Sequence, residues 1–219
     1  MKRYILPIFA LALLSCSSQG GTNSEGNTEK LTESEPLDYA ELDTATFAGG
    51  CFWCVEASFE QIKGVTEAVS GYAGGKASTA DYSMVSSGRT NHTETVQVYF
   101  DPTVIDYNTL LDIFFTSHDP TQLNRQGPDV GTQYRGAIFY HNQKQLDLAK
   151  AKIAELEVVY PKPIVTQLNQ YEIFFPAEEY HQDYEEKHPY DRYIMNVSRP
   201  KIERVKEKFA DLLKEEYKN

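Results

Sequence analysis

The chain is short of the features that mark several protein classes. Its 219 residues hold three cysteines and one tryptophan, too few thiols for a disulfide-rich secreted scaffold. Cations are scarce as well: 21 lysines and arginines stand against 32 aspartates and glutamates, a formal net charge of −11. Binding to nucleic acid demands a basic face, so no nucleic-acid partner is expected. Long hydrophobic runs are also missing. The run from Tyr4 to Leu14 is well below the roughly 18 apolar residues of a membrane-spanning helix.

That run has a different use. Lys2 and Arg3 precede it and Ser15-Cys16 ends it, the layout of a secretory signal over residues 1–15. Leu13-Leu14-Ser15-Cys16 resembles the bacterial lipobox, whose cysteine is lipidated and becomes the mature N-terminus. An exported protein is therefore expected, anchored through Cys16 in the cell envelope, periplasmic or on the outer face of a membrane. An ordinary signal peptide with an incidental cysteine is the competing reading. From Ser17 to about Glu35 the residues are mostly Ser, Gly, Asn, Thr and Glu. They offer little to bury against their ordering entropy, so residues 16–38 are read as a flexible tether. Residues 39–219 are left as one domain, long enough for a real core.

Within that domain, Thr44 to Ala48 reads as a strand ending in Gly49-Gly50. Val55, Phe59 and Ile62 follow at helical spacing, and Gly64 stops the helix. Further strands are expected over Thr66–Tyr72, Val96–Phe100 and Tyr134–Tyr140, with two short ones within Ile164–Phe175, around Asn169-Gln170. Helices are expected around Leu110–Phe114, over Gln143–Leu156, over Ala177–Lys187, and along the stripe Ile202, Val205, Phe209, Leu212 and Leu213. His118 to Thr132 has no periodicity and reads as a long loop, often functional in a compact domain. The interleaving lacks a regular βαβ period. It points to an α+β fold, a single domain with a mixed or antiparallel sheet flanked by helices.

Cys51 and Cys54 are three positions apart. A disulfide closing so short a loop would add little stability, so the pair calls for a chemical explanation. The strand-Gly-Gly-Cys-helix layout sets Cys51 near a helix N-terminus, where unpaired N–H groups favour a thiolate. Cys51 is then the expected nucleophile and Cys54, in the first turn, the expected resolving thiol. A structural zinc site would need four ligands and has no second cysteine pair. A thioredoxin-like disulfide oxidoreductase of the envelope, a thiol enzyme that reduces peroxides or sulfoxides, and an inert buried pair all remain open on these residues alone.

Other segments narrow the choice. Gly50-Cys51-Phe52-Trp53-Cys54, Gly71-Tyr72-Ala73-Gly74-Gly75, His92-Thr93-Glu94-Thr95-Val96, His118-Asp119-Pro120, Gly127 to Arg135 and Glu179 to Tyr184 together resemble the peptide methionine sulfoxide reductase A family. The likeness runs from about Thr44 to Pro189. It implies an enzyme that reduces the S-sulfoxide of methionine, free or in oxidised proteins. It also implies roles for individual residues. Cys51 would attack the sulfoxide sulfur, and Phe52 and Trp53 would line a pocket for the substrate methyl group. Glu94 would be the acid, its pKa raised by burial. Tyr82 and Tyr134 would hydrogen-bond the oxygen, and Asp129 would bind substrate backbone or organise the site.

His92 and His181 are read as structural histidines. Many family members keep a resolving cysteine near the C-terminus, whereas Ile202 to Asn219 here contains no thiol. Cys54 would therefore close a Cys51–Cys54 disulfide, which thioredoxin or another dithiol would reopen. No bound cofactor and a monomer are expected.

Overall fold

Side-chain alternation along the strands sets the architecture of the computed structural model, which describes residues 41–218. The expected leader, Cys16 and the 16–38 tether lie outside the described residues. Strand β1 (Asp43–Gly49) sends Ala45 and Phe47 into the main core, while Ala48 joins Ala73, Ala137 and Phe139 in a smaller apolar cluster. A strand buried on both faces belongs inside a sheet. Accordingly β1 lies between β3 (Thr93–Phe100) and β6 (Gly136–Tyr140), antiparallel to both. On one side β2 (Val65–Ala73) pairs with β3, and β8 (Phe174–Pro176) with β2, again antiparallel. On the other, β7 (Gln167–Gln170) pairs with β6 in parallel. The result is a six-stranded mixed sheet of order β7-β6-β1-β3-β2-β8, flanked by helices in one domain.

The helices α1 (Phe52–Glu60), α3 (Tyr107–Ser117), α4 (Gln143–Glu157) and α6 (Arg199–Lys208) form the covering layer. Both α1 and α3 contact β1, and α6 packs on both of them. Asp106 and Asn142 cap α3 and α4, accepting from Thr109 N–H at 2.7 Å and Gln145 N–H at 2.9 Å. Phe47 stacks on Phe59 of α1 at 5.3 Å and on Phe114 of α3 at 4.9 Å. Each fully buried ring of this kind contributes roughly 1.5–3 kcal/mol. The strand that leads into Cys51 is thus held by stacked rings from α1 and α3.

Four local expectations are corrected. The loop from His118 to Thr132 contains a minimal hairpin, β4 (Arg125–Gln126) with β5 (Asp129–Val130). Tyr134 does not open a strand; it ends a one-turn helix, Thr132–Tyr134, before β6. Ala177–Lys187 is not one helix but a turn at Glu179–His181 and then α5 (Tyr184–Lys187), broken by Asp183 at φ +53°. Helix α6 stops at Lys208, and Leu213 instead bridges to Ile62 beyond the end of α1.

Candidate active site

Strand β1 ends at Gly49, and Gly50 turns the chain with φ +100°. A Cβ on Gly50 would lie 2.6 Å from Cβ of Gln126, so both the conformation and the space require glycine here. The turn delivers Cys51 to the N-cap of α1, and the Cys54 amide donates to the Cys51 carbonyl at 3.2 Å. Both thiols are free and buried, Cys51 5 % exposed and Cys54 1 %.

A pocket of about 360 Å³ opens over Cys51. Phe52 and Trp53 from α1, Glu94 from β3, Asp129 from β5, Tyr134, and Tyr82 at the start of the short helix α2 (Tyr82–Ser86) line it together with Cys51. All seven pocket residues named from the sequence therefore meet in one place. Cys54 lies outside the lining, hydrogen-bonded to Cys51. Two other clefts, about 420 and 600 Å³, open around Gly74, Asn91 and Arg135. They hold no thiol, and the Arg135 guanidinium donates to Gln167 and to the carbonyls of Asn91, His92 and Thr132.

Three further residues line the pocket: Tyr184, which closes the Glu179 to Tyr184 motif but had no assigned role, and Asp191 and Tyr193, which carried no motif. The Trp53 indole stacks on Tyr184 with centroids 3.8 Å apart and meets the edge of Tyr193 at 6.0 Å. Its N–H donates to His181 Nδ1 at 3.3 Å, so His181 orients the indole, in line with its structural reading. His92 is likewise buried, bonded through Nε2 to the Lys76 carbonyl. Tyr193 is better connected than either. Its hydroxyl donates to Asp129 Oδ2 at 2.6 Å and lies beside the Cys51 sulfur, whose upward shift it opposes. A second unforeseen residue, Glu178, accepts from the Tyr72 hydroxyl at 2.8 Å and from the Tyr82 amide at 3.0 Å. Tyr82 is thereby fixed beside His181, their rings 4.4 Å apart.

Glu94 occupies a core-facing register position on β3, opposite Tyr72 of β2, two residues before buried Val96. Burial pushes its carboxyl up to about 8, with the charges of Asp129 and Cys54 adding to the rise. The Phe52 amide, donating to Glu94 Oε2 at 3.1 Å, offsets part of it. A carboxyl in this state keeps its proton at neutral pH. The hydroxyls of Tyr82 and Tyr134 are pushed up by burial, by Glu94 and by Cys51, and so remain neutral donors.

The thiols depart from the expectation for a helix N-terminus. Burial, the hydrogen bond and charge of Cys54, and Glu94 push the Cys51 thiol up, and the Tyr193 hydroxyl opposes this only in part. Cys54 goes the other way, to about 7. The Cys51 hydrogen bond is the largest cause, with Lys201 and Ser198 assisting against burial and Asp129. In the resting pair desolvation outweighs the helix terminus at Cys51, and negative charge is best held at Cys54.

A nucleophilic thiol under an aromatic wall, beside a protonated carboxyl and two neutral phenols, defines a thiol-dependent reductase pocket. The peptide methionine sulfoxide reductase family model matches residues 43–213. The chain is 52 % identical over 171 residues to peptide methionine sulfoxide reductase MsrA of Haloquadratum walsbyi, covering 78 % of this chain and 98 % of the relative. It is 51 % identical over 172 residues to the Thermus thermophilus MsrA, with the same two shares. Among solved structures, reduced Mxr1 from Saccharomyces cerevisiae is similar with a TM-score of 0.67 and 37 % identity, over 73 % of this chain and 92 % of that one. Methionine sulfoxide reductase A of Corynebacterium diphtheriae has a TM-score of 0.63 and 33 % identity, over 69 % and 77 % of the two chains. This chain belongs to the peptide methionine sulfoxide reductase family.

Proposed function

We propose that the protein reduces the S-sulfoxide of methionine, free or in polypeptides, to methionine. The observation that carries this reading is Cys51 at the α1 N-cap, in one pocket with the proton-bearing Glu94 carboxyl. A sulfoxide presents an apolar methyl beside a basic oxygen. Phe52 and Trp53 suit the methyl, and the hydroxyls of Tyr82 and Tyr134 suit the oxygen. Cys51 attacks the sulfur as Glu94 gives its proton to the oxygen, where negative charge develops, and the Cys51 thiol proton passes to Glu94 and restores its acid form. The S–O bond breaks, methionine leaves and Cys51 holds the oxygen as a sulfenic acid. Asp129, held by Tyr193, orders the pocket wall near the substrate backbone.

Cys54 then attacks the oxidised Cys51, forming a Cys51–Cys54 disulfide and releasing water. An external dithiol of the thioredoxin type reopens the bond by exchange, so the cycle uses no bound cofactor. The enzyme acts as a monomer on oxidised proteins or peptides. The signal-like residues 1–15, the lipobox cysteine and the polar tether favour an exported enzyme, lipid-anchored through Cys16 in the cell envelope. Within the domain, the chain enters at Asp43 and the thiol lies past Gly49, at opposite ends of β1, roughly 20 Å apart at strand rise. Loss of membrane association in Cys16→Ser would support the anchor, and its retention would count against it.

A thioredoxin-like oxidoreductase would have no use for Glu94 or Asp129 in the pocket. The test is a peptide containing methionine sulfoxide, incubated with the protein and dithiothreitol. Stoichiometric methionine is expected, and none should form in Cys51→Ser. Absence of methionine with Cys51 intact would reject the proposal.

A further inference from the structure

A π-helical turn, Ile194–Ser198, runs directly into α6. Widened turns of this kind often mark functional sites, and this one lies next to side chains that reach both thiols. Tyr193, just before it, meets Cys51; Ser198, its last residue, accepts from the Cys54 thiol at 3.0 Å, and its hydroxyl can donate to the sulfur once that proton is lost. One turn further on, Lys201 brings Nζ to 3.9 Å from the Cys54 sulfur. Lys201 is 8 % exposed and forms no ion pair with a carboxylate among the described residues. Burying an ammonium costs heavily unless it faces an opposite charge. Nearby His118, held near a pKa of 4 by burial, stays neutral and adds no second positive charge beside Lys201. The sulfur of Cys54 is the group placed to supply the opposite charge.

We propose that Lys201 and Ser198 are positioning residues for Cys54, holding it as the thiolate that closes the disulfide with oxidised Cys51. This rests on the reading of Cys54 as the resolving thiol. In the step, the Cys54 sulfur bonds to the Cys51 sulfur and the Cys51 S–O bond breaks. The oxygen leaves as water, taking the sulfenic acid's own hydrogen and a proton from Glu94. Cys54 is oxidised and Cys51 is reduced by the same pair of electrons. The groups facing Cys54 are Cys51 on its own helix, Lys201 and Ser198 from the α6 side, and Asp129, Glu94 and Tyr193 from the pocket. Of these, Lys201 is the cation. Buried as it is, Cys54 can act only if it is ionised, and Lys201 is the cation beside it.

The test follows one turnover without reductant, with a methionine sulfoxide peptide as substrate. Released methionine, Cys51 sulfenic acid trapped by dimedone, and the Cys51–Cys54 bridge mapped by mass are read over time from pH 6 to 9. In Lys201→Met the methionine burst, which reports the Cys51 step, persists. Disulfide closure at pH 7 slows about tenfold for each unit by which the Cys54 pKa rises, and the deficit shrinks toward pH 9. Lys201→Arg restores closure. Closure at the native rate in Lys201→Met, or an equal deficit at every pH, would overturn the proposal. If Lys201→Met does not fold, the unmodified protein decides: its closure rate should reach half-maximum below the ordinary thiol value. A midpoint at the ordinary thiol value of about 8.5 overturns the proposal. Methionine without any Cys51–Cys54 bridge would reject the resolving role and the proposal with it. No methionine at all would instead reject the functional reading.

Discussion

Replacing Glu94 by glutamine separates two effects that act in opposite directions. The amide has the shape of the carboxyl, and its carbonyl can still accept from the Phe52 amide at the 3.1 Å contact, so the fold should survive. What is lost is the proton. With a pKa of about 8, about nine-tenths of the Glu94 carboxyls are protonated at pH 7 and about one-tenth at pH 9. Native single-turnover methionine formation should therefore fall as pH rises through 8. A positioned general acid contributes about 10²–10⁴-fold, and Glu94→Gln should lose on that scale at pH 7, with the limb at pH 8 gone. Meanwhile the ionised carboxylate is one of the groups that raise Cys51. Its removal should make Cys51 alkylate faster with iodoacetamide, but only above about pH 8, where the native carboxylate is charged. Alkylation mapped by mass alongside rapid-quench methionine assays measures both effects. A variant that keeps more than a tenth of the rate and retains the limb at pH 8 would refute the acid role.

Two other substitutions probe the wider site. Tyr193→Phe removes the 2.6 Å bond to Asp129 and the hydroxyl beside the Cys51 sulfur; first-turnover methionine formation should fall several-fold to about 100-fold, the loss expected when a charged group is left unpaired, and an unchanged rate would remove Tyr193 from the pocket's working parts. Glu56 is 1 % exposed and pushed up to about 9 by burial, with Glu60 and Asp183 adding to the rise. Because its folded pKa exceeds the unfolded one, its stabilising effect is complete below about pH 4.5 and is lost as pH rises toward 9, at up to about 1.4 kcal/mol per pH unit. Glu56→Gln should flatten the decline of Tm between pH 5 and 8.5, and a curve parallel to the native one would contradict this.

The central strands and long helices were legible because each has a regular apolar period. Ala45 and Phe47 on β1, and Val96, Val98 and Phe100 on β3, alternate; Leu110, Leu111 and Phe114 repeat helically. Edge strands were less so. The 164–175 region does hold two short strands, yet β7 and β8 lie at opposite edges of the sheet. Strands of four and three residues carry too little pattern to choose a partner. Ala177 to Lys187 read as helical from its polar composition, but the left-handed Asp183 breaks it, and sequence gives no warning of that conformation in a non-glycine residue. Glu94 shows the converse case. Its spacing from Val96 and Val98 already put a carboxylate on the core face, an anomaly that fits a residue with a task.

Lys201 is legible in the same way. Ser198, Lys201, Ile202 and Val205 are spaced by three, one and three residues, a helical stripe whose members are all buried. A lysine within such a stripe has to be paired or has to titrate, and that rule alone makes the position suspect before its partner is known. The partner could not be named, because Cys54 is 147 residues away in the chain. The same separation explains why the helix N-terminus misled at Cys51. A local rule counts the dipole of α1 but not the burial, the Glu94 carboxylate or the second thiol that tertiary structure adds. With those included, the two cysteines are not equivalent. Cys51 is the thiol under the substrate pocket, raised and waiting for a neighbouring acid. Cys54 is the thiol beneath it, and the cation that holds its charge comes from the far end of the chain.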